Sequence, residues 1–226
     1  MRRPAVRLAI IAATFVLGLA LDARADLPAQ IAMSVVVWAV LSWAISQEST
    51  EIRFAAMACV VIATAGEMFL SLVWGLYAYR LGNIPLFVPP GHALLLLLGL
   101  SLSRRLSEAA AAFVIVAAGV LALVLAASHV DTLGLALFAL LAATSAVFPS
   151  QRRLYASTFI LALALELYGT ALGSWTWSHE VAFPGLVTTN PPFAAGAFYA
   201  ALDALTACAA LVLARARPGA PRPSYR

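Results

Sequence analysis

Apolar residues run almost unbroken along the chain, and the polar ones fall into narrow gaps between runs. Eight apolar segments stand out, at about 5–21, 27–46, 53–74, 89–103, 108–127, 132–149, 154–173 and 192–214. Most reach the roughly 20 residues that an α-helix needs to cross the ~30 Å hydrocarbon core of a bilayer. A helix that is apolar all round has no watery face to offer and belongs inside a membrane. The pattern predicts an all-α fold, a polytopic transmembrane helical bundle of about eight spans. The fourth run is short, so its helix is tilted or begins earlier, near Leu86, Phe87 and Val88.

The first run admits two readings. Arg2, Arg3 and Arg7 precede an apolar stretch that ends at Ala23-Arg24-Ala25, the form of a cleavable signal peptide. The same residues read as an uncleaved first helix, with Asp22 to Asp26 as a tight polar turn, and the second span that follows almost at once favours this reading. Cleavage would leave seven spans. The whole of 1–214 reads as one transmembrane domain, and the Pro- and Arg-rich stretch 215–226 as a disordered tail.

Composition agrees with the pattern and narrows the classes. The 226 residues are 63% hydrophobic and 11% charged, with a mean hydropathy of +0.95. Soluble domains hold about 25% charged residues, so a soluble enzyme or a nucleic-acid binder is excluded. All 14 basic residues are arginine. With the N-terminus inside, only Arg24 and Arg80 face out; the other arginines cluster at the inner ends of the spans. That asymmetry predicts cytoplasmic N- and C-termini in a bacterial inner membrane. The two long loops, 75–90 and 174–191, then lie outside. Cys59 and Cys208 fall within apolar runs and read as small hydrophobes.

The chain carries a weak internal repeat, with copies at about 53–105 and 153–215. Gly66-Glu67-Met68-Phe69 is followed by Gly75-Leu76-Tyr77-Ala78-Tyr79, then Asn83, Pro85 and Pro89-Pro90. Leu165-Glu166-Leu167-Tyr168-Gly169 is followed by Gly173-Ser174-Trp175-Thr176-Trp177, then Pro184 and Asn190-Pro191-Pro192. Both copies read acid, Gly-x-aromatic-x-aromatic, Pro-Pro. Proline suits the first turn of the helix that follows, where its missing N–H would be unpaired anyway. Four spans separate the copies, so the repeat is parallel.

Glu67 and Glu166 are the strongest chemical signal. Each lies about seven residues before the end of an otherwise apolar span, ~10 Å below the boundary at 1.5 Å per residue. A charge at a helix centre costs about 2.5–3.5 kcal/mol, so an intramembrane carboxyl is a functional candidate by default. A neutral carboxylic acid escapes that cost and is a proton donor. Asp203 is the third such acid, with Tyr199 and Thr206 on its helix face. The three acids are expected to face one cavity, with at least one of them protonated.

Trp74, Tyr77, Tyr79, Trp175 and Trp177 suit a membrane interface. Their alternation after a glycine also places two rings on one side of an extended segment, where their faces could wall a pocket and stabilise a cation. With His92, Tyr168, Asn190 and Tyr199 they are the candidate substrate contacts. The three histidines, His92, His129 and His179, show no metal-ligand spacing, and no phosphate-binding or dinucleotide motif is present. The sequence predicts no metal, no cofactor and no nucleic-acid partner. Membrane lipid and an apolar small molecule are the expected partners.

An intramembrane acid, then Gly-x-aromatic-x-aromatic, then a proline-marked helix start resembles the carotenoid-biosynthesis membrane proteins. That group includes the heterodimer-type lycopene cyclases and the carotenoid 1,2-hydratases. The likeness spans about 66–92 and 165–203. It implies an isoprenoid-modifying enzyme with Glu67, Glu166 and Asp203 as its acids. The cyclases carry paired glutamates after a proline where this chain has Pro89-Pro90-Gly91 and Pro191-Pro192-Phe193. The residues also fit a proton-linked transporter, a lipid-binding membrane protein or a non-catalytic membrane subunit.

The topology is open to cysteine labelling. Asn83→Cys and Thr188→Cys should react with an impermeant maleimide added outside, and Ser150→Cys should not. Reaction at Ser150→Cys alone reverses the orientation.

Overall fold

The computed structural model describes residues 2–181 and 183–215; the tail expected at 215–226 lies outside them beyond Arg215. The helices are α1 (Arg2–Asp22), α2 (Leu27–Ser46), α3 (Thr50–Glu67), α4 (Val88–Ser103), α5 (Glu108–Ala127), α6 (Thr132–Val147), α7 (Arg152–Ala171) and α8 (Gly196–Arg215). Five runs are long and apolar enough to cross a membrane: Ala5–Asp22, Leu27–Ser46, Thr50–Val73, Glu108–Ala127 and Pro149–Ala171. The apolar parts of α4, α6 and α8 are shorter. Large apolar side chains stand on the outside of the bundle, with Val35 at 65% and Phe113 at 73% exposure. So much apolar surface suits lipid rather than water.

Helix starts follow from local chemistry. Asp26, Ser49, Ser107 and Asp131 each accept the amide three residues on, which caps α2, α3, α5 and α6. Pro89 and Pro90 sit in the first turn of α4, as the sequence suggests. The second Pro-Pro pair departs from that expectation. α8 begins at Gly196, four residues beyond Pro192, so the expected start at 192 is corrected.

The centre of the bundle is a ring of four helices. α3 packs against α4 and α8, and α7 packs against the same two. Outside the ring, α2 lies on α4 and α6 lies on α8, while α1 packs on α2 and α4 and α5 on α6 and α7. Connections alternate between two ends. At one end Arg7 pairs with Glu48 at 2.6 Å and Arg153 with Glu108 at 2.9 Å. The other end carries the long loops and is here called the loop face.

Two short strands join the loops. β1 (Tyr77–Tyr79) pairs antiparallel with β2 (Trp175–Trp177), in the register Tyr77 to Trp177, Ala78 to Thr176 and Tyr79 to Trp175. A second hairpin, β3 (Glu180–Val181) with β4 (Leu186–Val187), follows. Gly75 and Gly173 precede β1 and β2 by two residues, at φ of +72° and +73°. That left-handed turn lets the chain leave a helix and double back at once, and only glycine adopts it without strain.

Buried acids pin the loops to the helix ends. Gln30 donates to Asp22 at 2.8 Å and accepts from Asn83 at 2.9 Å, while Arg80 donates to the Asp22 and Ala25 carbonyls at the end of α1. Positive charge at a helix C-terminus is favourable. In the other half Asp131 accepts from the Gly134 and Phe193 amides, each at 2.7 Å. Each helix-hairpin turn thus grips the loop that follows its neighbouring span.

Thermal unfolding in detergent should separate two glycine roles. Gly173→Ala should destabilise by about 1–2 kcal/mol, the cost of left-handed backbone at a residue with a Cβ. Gly66→Ala meets open space within a helix and should stabilise by about 0.5–1 kcal/mol. Equal effects would contradict the backbone account.

Candidate functional site: two carboxyls in one aromatic cavity

The β1–β2 pairing brings the two halves of the sequence pattern together. Side chains of alternate strand residues point the same way, so Tyr77 and Tyr79 reach one acid and Trp175 and Trp177 reach the other. The Tyr77 and Tyr79 hydroxyls both donate to Glu67 Oε2, at 2.8 and 2.7 Å. His92 Nε2, from the first turns of α4, lies 2.9 Å from Glu67 Oε1. The Trp175 and Trp177 indole N–H groups both donate to Glu166 Oε2, at 2.7 and 3.0 Å. Tyr199 of α8 places its hydroxyl 3.1 Å from Glu166 Oε1.

The rings pack as well as bond. Tyr77 and Trp177 centroids are 4.7 Å apart, and Tyr79 and Trp175 are 6.3 Å apart. His92 lies 4.8 Å from Tyr199 at a shallow angle. Both carboxyls are buried, Glu67 at 7% and Glu166 at 5% exposure. Burial, then the Glu67 carboxylate beside them, push the Tyr77 and Tyr79 phenols well above the ordinary tyrosine range. Both phenols therefore stay protonated and donate.

Both carboxyls face one cavity of about 100 Å³. Its remaining wall is largely apolar and includes Phe15, Leu19, Met33, Val37, Leu70, Phe87, Leu95 and Phe198. All its lining lies in the loop-face half of the bundle. Below it Ala56, Cys59, Leu94, Leu97 and Leu154 close the core. Right after Glu67 the third span winds as a π-helix over Met68–Val73, with the Trp74 amide bonded to the Phe69 carbonyl five residues back. Such turns within α-helices occur often at functional sites.

The other expected site residues lie elsewhere. Asp203 shares a face with Tyr199 but sits one turn deeper, beside Thr158 and Cys59, and is not in the cavity wall. The expectation of three acids around one space is corrected to two. Trp74 donates to the Phe183 carbonyl at 2.8 Å, and Tyr168 donates to the Val16 carbonyl at 2.9 Å. Neither lines the cavity. Asn190 accepts the Trp177 amide at 3.0 Å and so positions that strand rather than meeting the cavity. Sequence reasoning missed α1 and α2, whose Thr14, Phe15, Gly18, Met33 and Val37 form one wall. Only the small Gly18 hints at it, since apolar wall residues look like any other membrane residues.

Comparison with family models, with curated proteins and with solved structures finds no match.

Gly169 tests the construction. A methyl there would overlap the six-membered ring of Trp175, so Gly169→Ala should push the indole off Glu166. The Trp175 indole N–H resonance, assigned with Trp175→Phe, should lose its strong hydrogen-bond shift. An unchanged resonance would contradict the packing.

Proposed function

We propose that this protein is a membrane enzyme that transfers a proton to the double bond of an isoprenoid, of the cyclase or hydratase type. The observation that carries this reading is the pair of carboxyls facing a single, largely apolar cavity walled by aromatic rings. The cavity, at about 100 Å³, is of the same order as the ~150 Å³ space that takes benzene in a protein core, and its largely apolar wall suits the branched end of a hydrocarbon chain rather than a polar solute.

The two carboxyls divide the work. Glu67 receives two phenol donors on one oxygen and His92 on the other, the surroundings of a carboxylate. Charge-assisted bonds of that kind are the strong ones. Glu166 receives two indole N–H groups on Oε2, a fitting pattern for a carbonyl oxygen. Its Oε1 meets only the Tyr199 hydroxyl, which accepts as readily as it donates. Glu166 is therefore the carboxyl that carries the transferable proton. Protonating a trisubstituted alkene leaves a tertiary cation. The faces of Tyr77, Tyr79, Trp175 and Trp177 are at hand to stabilise it.

Three further elements belong to this reading. The resemblance to the carotenoid-biosynthesis membrane proteins supports the choice of isoprenoid. The antiparallel β1–β2 pair and the paired glycine turns support a duplicated unit, with α3 and α4 equivalent to α7 and α8. The arginine-rich end is cytoplasmic and the loop face lies outside. A proton-linked transporter draws less support, because Ala56, Cys59, Leu94, Leu97 and Leu154 pack as one buried apolar cluster beneath the cavity.

The test is conversion in a lycopene-accumulating bacterial host. Wild type should yield a product heavier than lycopene by one or two waters, or an isomer of it. Glu166→Gln should assemble normally and lose at least ~100-fold in rate, the usual contribution of a general acid. Full rate in Glu166→Gln, or a wild type inert on lycopene and on shorter prenyl chains, overturns the reading.

A further inference from the structure

The cavity holds a proton acceptor as well as an acid, and the hydrogen bonds identify which atom it is. Glu67 Oε2 is taken by the Tyr77 and Tyr79 hydroxyls, which leaves Oε1 for His92 Nε2 at 2.9 Å. A carboxylate that already accepts two phenols accepts the third bond too, so Nε2 carries the ring proton. A neutral imidazole has one N–H and one lone pair, and the lone pair then sits on Nδ1. His92 Nδ1 is buried and has no hydrogen-bond partner among the described residues. A buried acceptor left unpaired costs about 1–3 kcal/mol and calls for an explanation. His92 lines the cavity, and its ring lies against Tyr199, whose hydroxyl meets the Glu166 acid.

We infer that His92 Nδ1 is the general base of this site, with Glu67 as the positioning residue that fixes its tautomer. The inference rests on the enzymatic reading above. The proton circuit closes as follows. The Glu166 Oε1–H bond breaks and a C–H bond forms at the less substituted alkene carbon, leaving a tertiary cation. For hydration, a water oxygen bonds to the cation while one of its O–H bonds breaks, and that proton goes to Nδ1. For isomerisation or cyclisation, a C–H bond next to the cation breaks instead and its proton goes to Nδ1. Either way the enzyme is left with a Glu166 carboxylate and a His92 imidazolium. Return of the imidazolium proton to Glu166 restores the start. No oxidant, reductant or cofactor is consumed.

The first readout needs no turnover. Histidine-nitrogen NMR of the full chain, isotope-labelled at histidine and held in phosphatidylcholine vesicles, reports which ring nitrogen bears the proton. His92→Gln identifies the signal. His179 is the internal contrast, because its Nδ1 lies 2.9 Å from the Thr188 carbonyl and must carry the proton there. His92 should show a bare Nδ1 near neutral pH, and Glu67→Leu should abolish the preference. A proton on His92 Nδ1 overturns the inference. The second readout is lycopene conversion, as above. His92→Ala should lower kcat at least ~100-fold, as loss of a general base does, with KM within about 2-fold. Added imidazole should restore part of the rate. Full rate in His92→Ala overturns the inference, and loss without rescue or with KM moving instead marks a structural role. Full rate in Glu166→Gln with a bare His92 Nδ1 instead fails the enzymatic reading, so the two failures are distinguishable.

Discussion

Three residues from each half of the chain, Tyr77–Tyr79 and Trp175–Trp177, meet as an antiparallel ribbon, and the site depends on that pairing. The ribbon turns two sets of rings towards two acids about a hundred residues apart in sequence. It also satisfies the backbone of both loops where they cap an apolar bundle, which matters because unpaired peptide groups near lipid are costly. Three side-chain groups in turn meet each acid, two phenols and an imidazole at Glu67 and two indoles and a phenol at Glu166. A hydrogen bond contributes about 0.5–1.5 kcal/mol net, and about 1.5–3 kcal/mol where one partner is charged. Acids and ribbon therefore hold one another in place.

The same pairing explains why the two sites differ in chemistry while sharing a plan. Phenols and an imidazole surround Glu67, whereas indoles and one phenol surround Glu166. Indole N–H is a donor only, but a phenol or imidazole can exchange a proton. One carboxyl is thus tied into a network with His92. The other keeps an oxygen, Oε1, whose single partner is a hydroxyl. An apolar cavity between the two suits a reaction that adds a proton at one point and removes one at another.

Much of this was legible in the residues. The eight helices follow the apolar runs closely, and α2 and α5 match the predicted 27–46 and 108–127 to the residue. The alternation Gly-x-aromatic-x-aromatic foretold two rings on one side of an extended segment. What the pattern could not show was that the two segments pair with each other. Strand pairing is non-local, and three residues carry no register signal. Asp203 misled for a different reason. Its helix face is right, but it lies one further turn, ~5 Å, along α8 from Tyr199 and falls below the cavity wall. The wall from α1 and α2 was invisible because Phe15, Met33 and Val37 look the same whether they face lipid, a helix or a cavity.

On the function proposed here, the cavity holds one protonated carboxyl, Glu166. Infrared difference spectroscopy of the membrane-embedded chain tests this directly, because a protonated carboxyl has a C=O stretch that a carboxylate lacks. A buried protonated-carboxyl band should be present near neutral pH, disappear in Glu166→Gln and persist in Glu67→Gln. A band that disappears with Glu67→Gln instead, or no such band in the wild type, would contradict it.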